Sequence, residues 1–268
     1  RYDGFARALN EQGIVVAGHD HLGHGKSLPE GGTPVYFGDG NTWNTVVDDI
    51  YILHQRLKQR YPDVPLCIMG HSMGSFLTRT YLIRYPGTVK AAVIMGTGWQ
   101  PRAAITGGLA LANAIAAVSG ENATSELVTE LAFGSYNKLF APNRTKVDWL
   151  SADESNVDDY IADPLCGADA TVGLFRQMLH GIRFNQRQSH LRQMDREMPV
   201  LFVAGDKDPV GSCGKGVRQT YDAFRAAGMR DCTLKLYPGL RHEILNEKAY
   251  TADITKNIEA WLLSRLKK

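Results

Sequence analysis

One pentapeptide in the sequence, Gly70-His71-Ser72-Met73-Gly74, has the spacing of a catalytic serine. An apolar run precedes it at 66–69 and a helical pattern follows it, so Ser72 is predicted on a tight turn between a strand and a helix. We expect glycine at both ends of the motif because a Cβ there would meet neighbouring backbone. The Met73 N–H, at the start of the helix, would donate to a developing oxyanion. The pattern therefore predicts a nucleophilic serine.

Two candidate acids and a histidine follow later strands of the predicted sheet. Asp206 and Asp208 come directly after the apolar run at 200–204, and His242 comes shortly after the run at 233–237. The carboxyl ends of parallel strands meet at one edge of a sheet, where ligands bind in α/β folds. Serine, acid and histidine also occur in the chain order of α/β hydrolases. The sequence predicts a triad with His242, and the spacing leaves both aspartates open as its acid.

Strand and helix patterns alternate along the chain and must position these groups. The sequence predicts an α/β fold with a mainly parallel sheet and helices on both faces. Residues 98–198 interrupt the alternation and read as inserted helices and loops. Strands are expected at 14–17, 66–69, 91–95, 200–204 and 233–237, and helices at about 2–12, 42–61, 73–85, 216–227 and 249–266.

The composition is that of an ordinary globular protein. The chain has 268 residues, and 30 basic against 28 acidic residues give a net charge of +2, which predicts no nucleic-acid partner. The four cysteines lie far apart with no C-x-x-C pair, so neither a disulfide scaffold nor a thiolate zinc site is expected. Free cysteines and the lack of a visible export signal favour a cytoplasmic location, with any signal upstream of Arg1 outside this sequence.

Two further segments have competing interpretations. The run His19-Asp20-His21-Leu22-Gly23-His24 superficially resembles the metal-binding histidines of metallo-β-lactamases. Gly23 stands where that pattern needs Asp, so we expect a loop fixed by hydrogen bonds, with no metal or cofactor. Residues 103–120 carry no charge, which allows a membrane span by length. Their alanine-rich make-up instead favours an apolar helix that packs on the domain or covers a pocket.

Four motifs together resemble the monoacylglycerol lipase and lysophospholipase group of α/β hydrolases, which is also described as serine-aminopeptidase-like. They are the run 18–27, Gly70-His71-Ser72-Met73-Gly74, Asp208-Pro209-Val210 and Arg241-His242-Glu243. The resemblance implies that Ser72 is the nucleophile, Asp208 the acid and His242 the base. It also implies a hydrolase core at 1–97 and 199–268, with a cap or lid at 98–198 that shapes an acyl pocket.

The resemblance implies hydrolysis of lipid esters such as monoacylglycerol or lysophospholipid, with transient membrane or micelle contact through the cap. The apolar residues at 103–118, with Leu131, Phe133, Leu139 and Phe140, suit an acyl chain. A small-ester carboxylesterase on the same triad is an alternative. An aminopeptidase is another, since Glu126, Glu130, Asp153 or Glu154 could hold a substrate ammonium group. A non-catalytic ligand-binding protein on this fold is a third.

The start of the sequence raises a separate expectation. In α/β hydrolases the second oxyanion donor comes from the loop before the first major helix, and this sequence opens on that helix. The resemblance implies three strands and a His-Gly-containing loop upstream of Arg1, with one strand between those that end at Gly18 and Gly70. We therefore expect the 268 residues to be the larger part of a longer natural chain.

Overall fold

The computed structural model describes residues 1–266 of the chain. Its strands are β1 (Cys67–His71), β2 (Ala91–Met95), β3 (Val200–Gly205) and β4 (Cys232–Tyr237). Its helices are α1 (Asp3–Glu11), α2 (Thr42–Arg60), α3 (Met73–Arg84), α4 (Arg102–Ser119), α5 (Glu126–Thr129), α6 (Ser135–Lys138), α7 (Glu154–Ala162), α8 (Val172–Asn185), α9 (Gln188–Leu191), α10 (Lys215–Ala226) and α11 (Thr251–Leu266). A π-helical turn (Glu130–Gly134) joins α5 to α6, and a 3-10 turn (Asp148–Leu150) precedes α7.

Within residues 1–266 the strands form one parallel sheet in the order β1-β2-β3-β4. Met69 pairs with Val93, and Ile94 pairs with Phe202, so the carboxyl ends of the strands share one edge. Every residue of β2 and β3 is buried, because helices cover both faces of the sheet. This confirms the predicted α/β fold with a parallel sheet.

Two hydrophobic clusters fix the helices to opposite faces of the sheet. One cluster joins α2, α3 and α10 to the face that carries Ala92 and Ile94. The other joins α1 and α11 to the face that carries Ala91 and Val93. Successive strand side chains point to opposite faces, so a continuous apolar run such as β2 supplies both cores at once. All predicted helices and four of the five predicted strands are confirmed within two residues.

The predicted strand at 14–17 is wrong. The structure has no helix or strand there, and Val15 is 64% exposed. An apolar run becomes a strand only when a neighbour pairs its N–H and C=O groups. In the part of the chain that the structure describes, no strand lies beside 14–17, and β1 is at the edge of the sheet.

Residues 98–198, here named the 98–198 segment, fold into α4–α9, as the broken alternation predicts. Helix α4 packs against α8 and buries Ile105, Leu109 and Ala112. Among the described residues it is the one helix whose length and composition would allow a membrane crossing, and 17% of it is buried. The structure thus packs one face of α4 on the protein, as expected for a helix of the domain, and leaves most of its residues partly or fully exposed.

Candidate active site

Ser72 lies on the turn between β1 and α3 in a strained backbone conformation. Its φ of 55° and ψ of −123° fall outside the regions that serine normally adopts. The turn is held by the Ser72 N–H, which donates to the Met95 carbonyl at 3.1 Å, and by the Ser75 N–H, which donates to the Ser72 carbonyl at 2.8 Å. Within residues 1–266 the hydroxyl makes no capping hydrogen bond to α3, which leaves it available for chemistry.

The two glycines of the motif have different environments. A Cβ on Gly70 would overlap the Gly74 carbonyl oxygen and the Thr78 hydroxyl, so the steric reason for glycine holds there. Among the residues that the structure describes, nothing lies within 4 Å of the Cβ that Gly74 would gain. The steric prediction is therefore wrong at Gly74. The first turn of α3 lies against the position that a Cβ on Gly70 would take, whereas the space for a Cβ on Gly74 is open.

His242 and Asp208 form a buried pair at the carboxyl edge of the sheet. The His242 Nδ1 lies 3.0 Å from each carboxylate oxygen of Asp208, and the two residues are 2% and 0% exposed. The Val210 N–H donates to the same carboxylate at 2.9 Å. Asp206 instead accepts from the Gly239 N–H at 2.8 Å and so joins the turns after β3 and β4. The structure thus brings Asp208, and not Asp206, to the histidine.

Gly96 at the end of β2 leaves room for two imidazoles. Its φ is +57°, and a Cβ there would lie 2.9 Å from the His71 ring and 3.1 Å from the His242 ring. The predicted site does not include Gly96. Its signal in the sequence is a glycine directly after a buried strand, which often marks close approach of another group.

His71, the variable position of the serine motif, is a second histidine of the site that the sequence does not single out. Its ring centroid lies 4.5 Å from that of His242. Its Nε2 donates to the His242 carbonyl at 3.0 Å, which leaves Nδ1 to accept from the Tyr2 hydroxyl at 2.6 Å. Desolvation, and then the neighbouring His242, lower the pKa of His71 to about 4. His71 therefore stays neutral near pH 7, and its hydrogen bond stabilises the position of the His242 main chain.

The 98–198 segment contacts His242 through aromatic side chains. The Trp149 ring lies 5.2 Å from the His242 ring, and Tyr136 lies 5.3 Å from Trp149. Desolvation, and then the charge of Asp208, raise the pKa of Tyr136 to about 12. Trp149 therefore covers one side of the His242 ring, and Tyr136 packs against Trp149.

The histidine-rich run forms a hydrogen-bonded loop, as the sequence predicts. The Asp20 carboxylate accepts from the Lys26 N–H at 2.8 Å, and the Asp20 carbonyl accepts from the Ser27 hydroxyl at 2.8 Å. Burial is the main cause that lowers the pKa of His21 to about 4. In the described part of the chain, no three His, Cys, Asp or Glu side chains gather in a way that could hold a metal ion.

The arrangement can perform acyl transfer. A buried carboxylate that accepts from Nδ1 fixes the neutral tautomer of His242 with a basic Nε2. The backbone N–H groups at the start of α3 lack intrahelical partners and carry the positive end of the helix dipole. A histidine that could act as a general base and N–H groups that could donate to an oxyanion therefore lie at the same edge of the sheet as the half-buried serine turn.

A parallel sheet with helices on both faces and a serine turn at its carboxyl edge defines an α/β hydrolase. The family model described as "Serine aminopeptidase, S33" matches residues 1–249. The chain belongs to this family.

Relatives with given activities are similar over nearly the whole chain. A monoacylglycerol lipase of Mycolicibacterium smegmatis is 31% identical over 99% of this chain and 84% of its own length. A monoglyceride lipase of Mus musculus is 28% identical over 99% of this chain and 78% of its own. Among solved structures, a carboxyl esterase of Bacillus coagulans in complex with glycerol superposes with a TM-score of 0.92, at 26% identity over 99% of this chain and 86% of that one.

Proposed function

We propose that this protein is a serine hydrolase that cleaves lipid esters, monoacylglycerols and lysophospholipids in particular, through an acyl-enzyme on Ser72. The observation that carries the proposal is the buried His242–Asp208 pair at the edge where the strained Ser72 turn lies. The names of the two lipases and of the esterase support ester hydrolysis. No resident cofactor takes part in the proposed reaction.

In the proposed mechanism, His242 accepts the Ser72 proton as the serine oxygen attacks the ester carbonyl. The Met73 N–H donates to the resulting oxyanion, and Asp208 orients the imidazolium. The imidazolium then protonates the departing alcohol, and the tetrahedral intermediate collapses to the acyl-enzyme. A water molecule, deprotonated by His242, attacks this ester and releases the fatty acid and the free serine.

We assign residues 1–97 and 199–268 to the hydrolase core and the 98–198 segment to a cap that shapes the acyl pocket. The apolar surface of α4 and the aromatic residues beside His242 support this assignment. Three of the four acidic residues considered for an aminopeptidase have other partners. Glu130 pairs with Lys138, Glu154 pairs with Arg144, and Asp153 caps α7. No observation at these residues favours a peptidase over an esterase.

The exposed apolar residues of the cap support transient contact with a membrane or micelle that presents the substrate. Val118 is 87% exposed, and Leu127, Leu131 and Leu139 are also exposed. A cytoplasmic location is supported by the four cysteines, all of which are free.

Covalent labelling of the folded protein with a fluorophosphonate probe tests the proposed nucleophile. We expect the probe on Ser72 and no labelling of Ser72→Ala. No labelling of the folded parent protein would favour a non-catalytic ligand-binding role. A panel of esters of increasing acyl length, with monoacylglycerol and lysophospholipid included, then tests the substrate. A strict preference for acetyl esters or amino-acid amides would contradict the lipid-ester proposal.

A further inference from the structure

Trp149 contacts the proposed general base from outside the core. Its ring centroid lies 5.2 Å from that of His242, with 42° between the ring planes. It belongs to the 3-10 turn Asp148–Leu150 of the 98–198 segment, and none of the four sequence motifs includes it. The proposed reaction uses only Ser72, His242, Asp208 and the Met73 N–H, so it gives this tryptophan ring no role.

The Trp149 ring is held on its own side by neighbours in the 98–198 segment. The Phe133 ring stacks on it, with 6.1 Å between the ring centroids and 7° between the ring planes. The Tyr136 ring meets it edge-on, with 5.3 Å between the centroids. The main-chain N–H of Trp149 donates to the Asn137 side-chain oxygen at 3.0 Å, which fixes the backbone that carries the ring. A ring fixed in this way has little freedom to move away from the imidazole.

The loop that carries His242 is tied directly to the turn that carries Trp149. On one side of the histidine, Arg241 donates to the carbonyls of Asp148 and Ser151. On the other side, the Glu243 N–H donates to the Leu150 carbonyl at 2.8 Å.

Further along the same loop, the buried Glu247 carboxylate accepts from the Ala152 N–H at 2.8 Å and from the Asp153 N–H at 3.2 Å. The two rings therefore sit on segments that hydrogen bonds fasten together on both sides of the base.

The contact has a chemical consequence when His242 becomes protonated during the reaction. A cation within about 6 Å of an aromatic centroid is attracted by the ring, and tryptophan is the best partner. The charged or titratable groups near the imidazole are Asp208 from the loop after β3, His71 from β1, Tyr136 from the 98–198 segment and the neighbouring Glu243, whose charge is paired with that of Arg1. His71 and Tyr136 are neutral near pH 7, so Asp208 and the Trp149 ring are the groups that favour the imidazolium.

We propose that Trp149 is a positioning residue that holds the His242 imidazole and stabilises its protonated form by a cation–π contact. This inference rests on the proposed role of His242 as general base. The stabilisation acts on the charge that develops in the transition state, so it affects turnover more than substrate binding.

The test compares Trp149→Leu and Trp149→Phe with the parent on a short-chain p-nitrophenyl ester between pH 5 and 9. For the leucine variant we expect kcat to fall about threefold to tenfold, with KM little changed. The acidic limb of its pH profile of kcat/KM should lie about 0.5 pH unit lower than in the parent, because the imidazolium loses a stabilising partner. Phenylalanine retains a π face and should lie between leucine and the parent. Trp261→Leu is the matched control, since it removes a tryptophan ring on α11 whose N–H donates to Thr233 of β4, and its acidic limb should coincide with that of the parent.

Two results would overturn the inference. The first is a raised KM with kcat and the acidic limb unchanged in Trp149→Leu, which would make Trp149 a wall of the substrate pocket only. The second is identical acidic limbs in the leucine and phenylalanine variants. An NMR titration of the His242 ring in the parent and the two variants compares the same shift without an activity assay. Fluorophosphonate labelling of the parent at Ser72 separates this inference from the proposed function: labelling without the shift refutes only the role of Trp149.

Discussion

At the residue scale, the two aspartates after β3 differ in what they contact. Asp208 is buried and shares its carboxylate between the His242 ring and the Val210 N–H. Asp206 accepts one backbone N–H, from Gly239. An acid that orients and stabilises an imidazolium must lie against the ring, so the contacts favour Asp208.

We expect Asp208→Asn to lower kcat about 10³- to 10⁴-fold, because an amide no longer stabilises the imidazolium or fixes the reactive tautomer. Asp206→Asn keeps an oxygen that can accept from Gly239 and should stay within a few-fold of the parent. Steady-state hydrolysis of a soluble ester measures both, with circular dichroism as the control for folding. Equal, small losses from the two substitutions would remove Asp208 from its proposed role.

Two histidines with lowered pKa values make the stability of the fold sensitive to acid. His71 and His21 each have a pKa of about 4 in the folded protein, against 6.5 when exposed. The unfolded chain therefore binds more protons between these values, and the free energy of unfolding falls as the pH drops from 6.5 towards 4. Urea unfolding at several pH values should show this decline. In His71→Asn the decline should be shallower, and an equal slope in parent and variant would contradict the contribution of His71.

At the element scale, the strand–turn–helix unit around Ser72 predicts a difference between its two glycines. Gly70→Ala forces a Cβ into the carbonyl of Gly74 and should destabilise the fold by about 1–3 kcal/mol. Gly74→Ala gains a Cβ that meets open space within α3 and should be neutral, or stabilising by up to about 1 kcal/mol. Thermal and urea unfolding of the matched pair measures both effects. A similar loss of stability in both variants would contradict this account of the turn.

Elements whose own residues determine their structure could be predicted from the sequence. A strand that needs a particular neighbouring strand could not. β2 is predicted at its observed limits because Ala91–Met95 is buried on both faces and reads as an unbroken apolar run. The run at 14–17 has the same appearance but forms no strand, since pairing depends on a neighbouring strand. The serine motif and the order of the acid and base are local patterns, so Ser72 and His242 could be proposed from the sequence.

The contacts around the base could not be predicted, because they join residues far apart in the chain. The His71 ring binds the carbonyl of a residue 171 positions away. Trp149 lies in a segment without a regular repeat, and its meeting with His242 follows from hydrogen bonds of Arg241, Glu243 and Glu247 to main-chain groups. Nothing in the types or spacing of these residues marks such a pairing before the chain is folded.

At the scale of the whole molecule, the 98–198 segment presents one surface to His242 and another to solvent. Trp149 and Tyr136 lie on the inner side, and the exposed apolar residues Val118, Leu127 and Leu131 lie on the outer side. Exposed apolar groups of this kind favour a lipid interface, because the free energy falls by about 25 cal/mol for each Å² of apolar surface removed from water. We therefore propose that the same segment brings a lipid surface close to the proposed catalytic groups.

This arrangement predicts that binding to lipid and catalysis on soluble esters can be separated by substitution. In the double variant Val118→Glu with Leu131→Glu, we expect weaker co-sedimentation with phosphatidylcholine vesicles and slower hydrolysis of monoacylglycerol presented in them. Hydrolysis of a soluble p-nitrophenyl ester should remain near the parental rate. Ile52→Glu is the control, because Ile52 is 45% exposed on α2, outside the 98–198 segment. If Ile52→Glu weakened vesicle binding as much as the double variant, the apolar residues of the 98–198 segment would not be the lipid-binding surface.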